Sequence, residues 1–529
     1  MTEQAPVLIA GGGLVGLSAA TFLAQQGVRS VTIERLKASS PLPRAAYFHM
    51  RTLEMFRSVG IEASVREQSE KEFVPEGMIV AMDTISGRKL ADIISNLNEG
   101  VEAVSPCRRL FLNQPSLEPI LRDRAREAGA TVVQGAEITA VRQDSSGVLV
   151  TVRDVDTGDE RDLHGEYLIA ADGSHSKVRD LMGIGYEGRG AFSNSLTIYF
   201  TADLSRWLAD KAWSVIYINN SLLTGFFRMN RAAQAGFFAI NTLGDPNLDP
   251  KAASNASADV SEARLVDLVR TAVGRPDLPI RIDGYSRWRA TADVAQKLQQ
   301  GRIFIAGDAA HLMPPNGGFG GNTGIHDVHN LAWKLALVIK GQASPNLLAS
   351  YERERKPVAK FTVEQAFSRY VTRTAPWLQP SQQIEPVVPD FDIELGYLYE
   401  SPTGIHADPR STFGMPGSRA PHLWLSLRGE RVSTIDLTGS YLLLAGPEGV
   451  PWIGAAQRTT EQFGRLNLNA YCVGSDLDDP EGAFCEAYGI SRAGASLVRP
   501  DGFVAWRSRT LVEDPAAALR EALGRSLGY

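Results

Sequence analysis

The sequence is poor in the features that mark secreted, membrane-bound or nucleic-acid-binding chains. Only three of its 529 residues are cysteine, Cys107, Cys472 and Cys485. They are odd in number and never form CxxC, so neither a disulfide framework nor a cysteine-rich zinc site is supported, and a reducing cytoplasm fits best. No Lys/Arg-rich block occurs, and 54 basic residues against 60 acidic ones leave a net charge of -6. That balance gives no electrostatic footprint for a nucleic-acid backbone or an anionic membrane. From Gln4 to Val28 no residue is charged, yet the run lacks the positive start of a signal peptide and is broken by three glycines, so neither export nor a membrane span is expected. What remains is an ordinary globular composition, 44% hydrophobic and 22% charged, long enough for about three structural units and suited to small-molecule partners.

The chain opens on a pattern with a physical logic. Val7 to Ala10 is an apolar run that ends in Gly11-Gly12-Gly13-Leu14-Val15-Gly16, followed by apolar residues at helical spacing up to Gly27 and by a second strand-like run, Val31 to Glu34. This predicts a β-turn-α-β unit with Gly11, Gly13 and Gly16 in the GxGxxG positions. Gly11 permits the tight turn, Gly13 lets the backbone approach a pyrophosphate, and Gly16 lets helix and strand pack closely. The helix start offers free N–H groups to the anion. Glu34 is placed to accept a hydrogen bond from an adenosine ribose, and its charge disfavours a 2′-phosphate. No second strand-GxGxxG-helix unit follows, so a second dinucleotide has no dedicated domain.

Two later segments read as buried strands that deliver a Gly-Asp or Asp-Gly turn. Residues 167–179 run through Asp172-Gly173 into a basic helix start, and residues 301–311 run through Gly307-Asp308 to His311. A glycine-rich loop, Pro314 to Gly324, and a helix through Trp333 follow the second. Asp308 at a strand's carboxyl end is aimed at a ligand hydroxyl, while the loop bares backbone N–H groups at a helix start, suited to a flat ring that becomes anionic on reduction. His311 fits either a base or a structural role. His326 and His329, three apart on one helix, lack a nearby third ligand, so packing is favoured over a metal site.

Between about 190 and 290, strand-like runs carry Tyr199, Tyr217, Phe227 and Phe238. These aromatics are candidates for the wall of a substrate pocket, with plain sheet core as the alternative for each. Eight of the 28 prolines fall in residues 376–421, which marks a linker before a last small α/β unit.

In this order and spacing the three segments resemble the GxGxxG, DGxxSxVR and GDAAHxxxPxxGxGxN signatures of the FAD-dependent aromatic hydroxylases typified by p-hydroxybenzoate hydroxylase, the class A flavin monooxygenases. The resemblance spans about residues 5 to 370 and includes Tyr351 to Pro357, similar to the family's YxxERxP segment. Residues 416–422 and 498–507 resemble the polyketide-tailoring subgroup with a C-terminal thioredoxin-like domain. The implied fold is α/β: a Rossmann-like FAD-binding domain (1–180 and 285–375, with substrate-side insertions near 75–105), a β-rich substrate domain (181–284), a linker (376–420) and a thioredoxin-like domain (421–529). Without CxxC that last domain is expected to be structural.

The resemblance also implies roles. Gly11, Gly13 and Gly16 would meet the FAD pyrophosphate, Glu34 the adenosine ribose, and Arg35 and Arg44 the diphosphate charge. Gln114 would sit on the ribityl-phosphate side and Asp308 on the ribityl chain. Gly320, Gly321 and Asn322 would contact the isoalloxazine through their backbone, and Pro315 would border the oxygen side. In this motif His311 is usually structural, and Asp172-Gly173 is linked to FAD and nicotinamide handling or to a plain turn. The implied reaction is a monooxygenation in which NAD(P)H reduces tightly bound FAD, O2 forms a flavin C4a-hydroperoxide, and oxygen passes to a phenolic, polycyclic polyketide ring. No catalytic nucleophile and no metal are called for. Baeyer–Villiger-type or other oxygenative rearrangement of a quinoid substrate, and FAD binding without turnover, are the rival readings. A monomer or homodimer without nucleic-acid or membrane partners is expected.

Overall fold

A computed structural model describes residues 3–39, 45–75, 77–244, 260–378, 383–463 and 466–529. The first apolar run is strand β1 (Glu3–Ala10), and the helix after the glycine turn is α1 (Leu14–Gln25). β2 (Ser30–Glu34) pairs parallel with β1 on one side, and β4 (Glu160–Ala170) pairs parallel on the other. β3 (Thr131–Gln134), reached through helix α2 (Gln114–Glu127), extends the sheet beyond β2. Val7, Leu8 and Ile9 have no solvent exposure, because a parallel strand with helices on both faces must be apolar on both.

Among the described residues a second sheet of eight strands stands beside the first. Its long members are β5 (Tyr186–Thr201), β6 (Trp213–Asn219), β7 (Leu223–Met229), β8 (Ala235–Leu243) and β9 (Arg281–Ala295). Met78–Met82 and Lys89–Ile94 add to its edge, Met78–Met82 pairing parallel with β6. One face is sealed by helix α3 (Glu262–Val273): Leu196, Ile198, Phe200, Ile216, Ile218, Phe227, Phe238 and Ile240 pack with Leu265, Leu268 and Val269. The side chains of alternate residues, Ser195, Thr197, Tyr199, Tyr217, Phe226, Arg228 and Phe237, take the opposite face, as the two-residue strand period requires.

The chain then returns to the first sheet with β10 (Ile303–Ile305), parallel to β4. Helix α4 (Phe319–Ile339) is buried over most of its surface, and α5 (Ser350–Arg373) packs beside it. The proline-rich stretch is more than a spacer. Its helix α6 (Asp390–Glu394) is buried at Glu394, which pairs with Arg109 at 2.9 Å, and Tyr397 and Tyr399 pack with Phe503.

The last unit has the order β11 (Tyr441–Ala445), α7 (Val450–Gln462), β12 (Leu468–Cys472), β13 (Ala495–Val498), β14 (Val504–Ser508) and α8 (Pro515–Ser526). β12 is parallel and β13 antiparallel to the central β11, and β14 closes a hairpin with β13. That is the thioredoxin-like arrangement, here with free cysteines only. Among the described residues no helix is long and apolar enough to cross a membrane.

Candidate active site

Three backbone turns converge where β1, β4 and β10 end. Gly11 has φ +94°, and a Cβ there would lie 2.4 Å from the Ala171 carbonyl oxygen. A Cβ at Gly16 would lie 1.8 Å from the Gly11 oxygen. Both positions therefore require glycine for packing alone. Gly13 differs: a Cβ there would meet nothing nearer than Glu118 at 3.7 Å. Gly13 is also the N-cap of α1, with no side chain capping the helix, so the helix start presents unsatisfied N–H donors over open space. Glu34 is locked beside it, accepting hydrogen bonds from the Gly12 N–H at 2.6 Å and the Leu36 N–H at 2.7 Å.

Asp308 follows β10 in a short 3-10 turn, exposed at the mouth of the crevice. The turn is braced from below by residues of the later motifs. Asp327 accepts from the Gly307 N–H at 3.1 Å, from His311 Nε2 at 2.7 Å and from Arg355 Nε at 2.8 Å. Burial alone would raise the Asp327 carboxyl, and the Arg355 and His311 charges outweigh it and hold the group below its ordinary value. Tyr351 Oη donates to the Ile305 carbonyl at 2.8 Å. His311 is thus a buried strut, and the Tyr351–Arg355 segment is the frame of the Asp308 turn; neither Asp327 nor Arg355 was among the expected site residues.

The third turn starts α4. Gly317 and Gly318 have φ +92° and +69°, Gly318 caps the helix without a side chain, and the space at Gly320 is open to 3.7 Å. The Asn322 side chain is fully engaged: its Oδ1 accepts from the His49 N–H at 3.0 Å and Thr52 Oγ1 at 2.7 Å, and its Nδ2 donates to the Tyr47 and Gly318 carbonyls at 2.8 and 2.7 Å. The side chain is therefore not available to a ligand. Burial lowers His49 to about 3, and this neutral ring props the loop through Nε2 against the Gly317 oxygen at 3.0 Å. Gln114, at the start of α2, donates to Glu118 at 2.8 Å. Arg35 and Pro315 are exposed, and Arg44 lies outside the described residues. His326 contacts Thr52 and Tyr397, and among the described residues no cluster of metal-ligating side chains occurs.

Of the four pocket candidates the structure groups two. Tyr217 and Tyr199 share the open sheet face with Phe226 and Phe237, in a run of ring contacts 5.8 to 6.0 Å apart. Phe227 and Phe238 stack on each other at 4.3 Å on the opposite, α3-covered face. They are sheet core, not pocket wall. The open face meets the α4 loop at Tyr217, whose hydroxyl accepts from Asn316 Nδ2 at 3.4 Å. Asn316 also donates to Thr374 at 2.9 Å. Burial raises the Tyr217 phenol, and Arg373, at the end of α5, is the charge that opposes it.

Two uncapped helix starts, a glycine with open space above it, a locked carboxylate and an exposed aspartate fit the diphosphate, ribose, ribityl chain and ring of FAD. Comparison with known proteins agrees. Residues 4–366 match the FAD binding domain model and residues 414–529 the aromatic-ring hydroxylase C-terminal model. The chain is 48% identical to a 4-methyl-5-nitrocatechol 5-monooxygenase of Burkholderia sp, across 98% of this chain and 97% of the relative. It is 37% identical to a tetracenomycin A2 monooxygenase-dioxygenase of Streptomyces glaucescens, across 99% and 97%. Its fold superposes on an aklavinone-11 hydroxylase solved with FAD and aklavinone, with a TM-score of 0.93, 34% identity and full coverage of both chains. The chain therefore belongs to the FAD-dependent aromatic-ring hydroxylases, monooxygenases with a thioredoxin-like C-terminal domain.

Proposed function

We propose that the enzyme uses NAD(P)H and O2 to hydroxylate a phenolic ring laid over the Tyr217–Phe226–Phe237–Tyr199 floor. The observation that carries this is the floor itself: an aromatic sheet face, left uncovered by α3, that meets the glycine loop of α4 at Tyr217 and Asn316. FAD, when bound, supplies the oxygen-transfer chemistry. The chain's own residues do the rest. The α1 start and Gly13, with Arg35 and Arg44, would hold the diphosphate, Glu34 the adenosine ribose, and Asp308 with Gln114 the ribityl side. The start of α4 at Gly320, Gly321 and Asn322, the positive end of that helix, would hold the ring through its backbone, and Pro315 would border the oxygen side.

Arg373 favours loss of the proton from a substrate hydroxyl set beside Tyr217, because a nearby cation stabilises the phenolate. A phenolate is the more electron-rich ring. Tyr217 itself, raised by burial, stays protonated and can donate to that oxygen. The aromatic floor keeps water from the reacting carbon. In this reading residues 1–180 and 285–375 bind FAD, residues 181–284 bind substrate with help from the insertion near 75–105, and residues 421–529 are structural. The protein works in the cytoplasm as a monomer or homodimer.

A polycyclic polyketide phenol is the first substrate class. A single-ring nitrocatechol is the second, favoured by the 48% identity to the nitrocatechol monooxygenase over nearly the whole chain. The test is NAD(P)H oxidation and O2 uptake by the FAD-loaded enzyme with 4-methyl-5-nitrocatechol and with a polycyclic phenolic quinone. Stimulation of both signals together by one of them is expected. Flavin-loaded protein that consumes neither with any phenol contradicts the proposal.

A further inference from the structure

Arg228 lies on the open face of β7, one side-chain step from Phe226, and only 8% of it is exposed. Its guanidinium sits 4.7 Å from the Phe237 ring and 5.8 Å from Phe73. Its one hydrogen bond among the described residues runs from Nη2 to Asn113 Oδ1 at 3.3 Å, and none of them forms an ion pair with it. The nearest carboxylate that acts on it, Glu72, is occupied: its oxygens accept from Gln68 at 3.0 Å and from the Asn113 side chain at 2.9 Å. Burial accordingly lowers Arg228 to about 10.

Among the described residues the other buried arginines all have a carboxylate partner. Arg109 has Glu394, Arg355 has Asp327, and Arg369 has Asp390. A buried guanidinium with most of its five donors unused is costly, and bracing Asn113 alone would need only a neutral amide. Its position suggests what completes it. Arg228 stands over the Phe237 end of the aromatic floor, whereas Tyr217, Asn316 and Arg373 stand at the other end, with Phe226 between.

We infer that Arg228 is a specificity-determining residue that takes a paired-oxygen substituent of the aromatic substrate, a nitro, carboxylate or ionised hydroxyl-carbonyl group, while the hydroxyl to be activated lies at the Tyr217 end. This rests on the reading that the floor holds the substrate. A planar guanidinium meets two oxygens in one plane and a lysine does not, so the arginine fixes the ring's orientation as well as its charge.

The test uses the FAD-loaded full chain as wild type, R228K and R228Q, with catechol and 4-nitrocatechol as probes, each Kd read from perturbation of the flavin absorption. Wild type should prefer 4-nitrocatechol by about tenfold or more, the scale of a charge-assisted hydrogen bond. R228Q should lose most of that preference while catechol weakens much less, and R228K should retain part of it. At a pH where free 4-nitrocatechol is half ionised, its visible band should show a larger anionic fraction bound to wild type than to R228Q. Equal weakening of both probes would make Arg228 a structural brace, and an unchanged preference would remove it from the pocket; either overturns the inference. If neither probe perturbs the wild-type flavin, the phenol reading itself fails and takes this one with it.

Discussion

At the residue scale, the cofactor cradle separates positions needed for the turn from positions needed for the ligand. Gly11 and Gly16 have backbone where a Cβ would go, so substitutions there damage the fold first. Gly13 has open space, so Gly13→Val should leave a folded protein that does not retain FAD. A fully flavinated variant would contradict the placement of the diphosphate. Asp308 is exposed and shaped by a brace it does not belong to, so Asp308→Ala should cost FAD affinity with little loss of thermal stability. Removing a hydrogen bond to a charged group predicts roughly 1.5–3 kcal/mol, measured by titrating apoprotein with FAD. These residues were legible in the sequence because each sits in a short motif whose spacing carries its geometry. Asp327 and Arg355 were not: what they do depends on α4 and α5 packing under a turn twenty and more residues away.

At the scale of elements, the same limit explains the pocket. Phe226-Phe227 and Phe237-Phe238 are adjacent aromatic pairs on neighbouring strands, and each pair sends one ring to the α3-covered face and the other to the open face. With two apolar faces the alternation that assigns a side chain to core or pocket is invisible in the sequence. The register of β7 with β8 and the position of α3 decide it. The start of α4 carries its own prediction. Gly317 and Gly318 adopt left-handed backbone, and Gly320 has space around it. Among the described residues no second dinucleotide fold occurs for NAD(P)H, so hydride delivery should depend on access to the flavin ring at this loop, and bound substrate should shift that access by its differential affinity for two ring positions. In anaerobic stopped-flow, substrate should speed flavin bleaching by at least about tenfold, which requires only about 1.4 kcal/mol. Gly320→Pro should slow this step more than it weakens FAD binding. Equal rates with and without substrate would contradict the gating.

At the scale of the whole molecule, the C-terminal unit is docked by buried charge. Arg419 meets Glu54 at 2.5 Å, Arg499 meets Glu354 at 2.6 Å, and Lys334 joins Glu354 at 2.7 Å, beside Trp333 packed on Tyr441. Burial opposes ionisation of Glu54, but Arg419 and Arg51 outweigh it and hold the carboxyl at about 2 against an ordinary 4.5. A depressed carboxyl stabilises the folded state above its unfolded value and loses that contribution as pH falls through its folded value. About 3 kcal/mol at this contact should therefore disappear between roughly pH 5 and pH 2. Trp333 fluorescence should report undocking in that window, and Glu54→Gln should weaken docking already at neutral pH. Cys472 is buried with its thiol against the Gly446 carbonyl and forms no disulfide. Replacing Cys472 and Cys485 with Ser should then leave substrate-dependent turnover nearly intact; a large loss in folded, flavin-loaded protein would give the domain a redox role.

The central claim is that this chain inserts one atom of O2 into a phenol held on the Tyr217–Phe237 floor. Mass analysis of the product formed from NAD(P)H, substrate and isotopically heavy O2 tests it most directly. A single heavy oxygen on the ring, and none when only the water is labelled, is the predicted result. Unlabelled product, or unchanged substrate with all consumed O2 recovered as hydrogen peroxide, would contradict it.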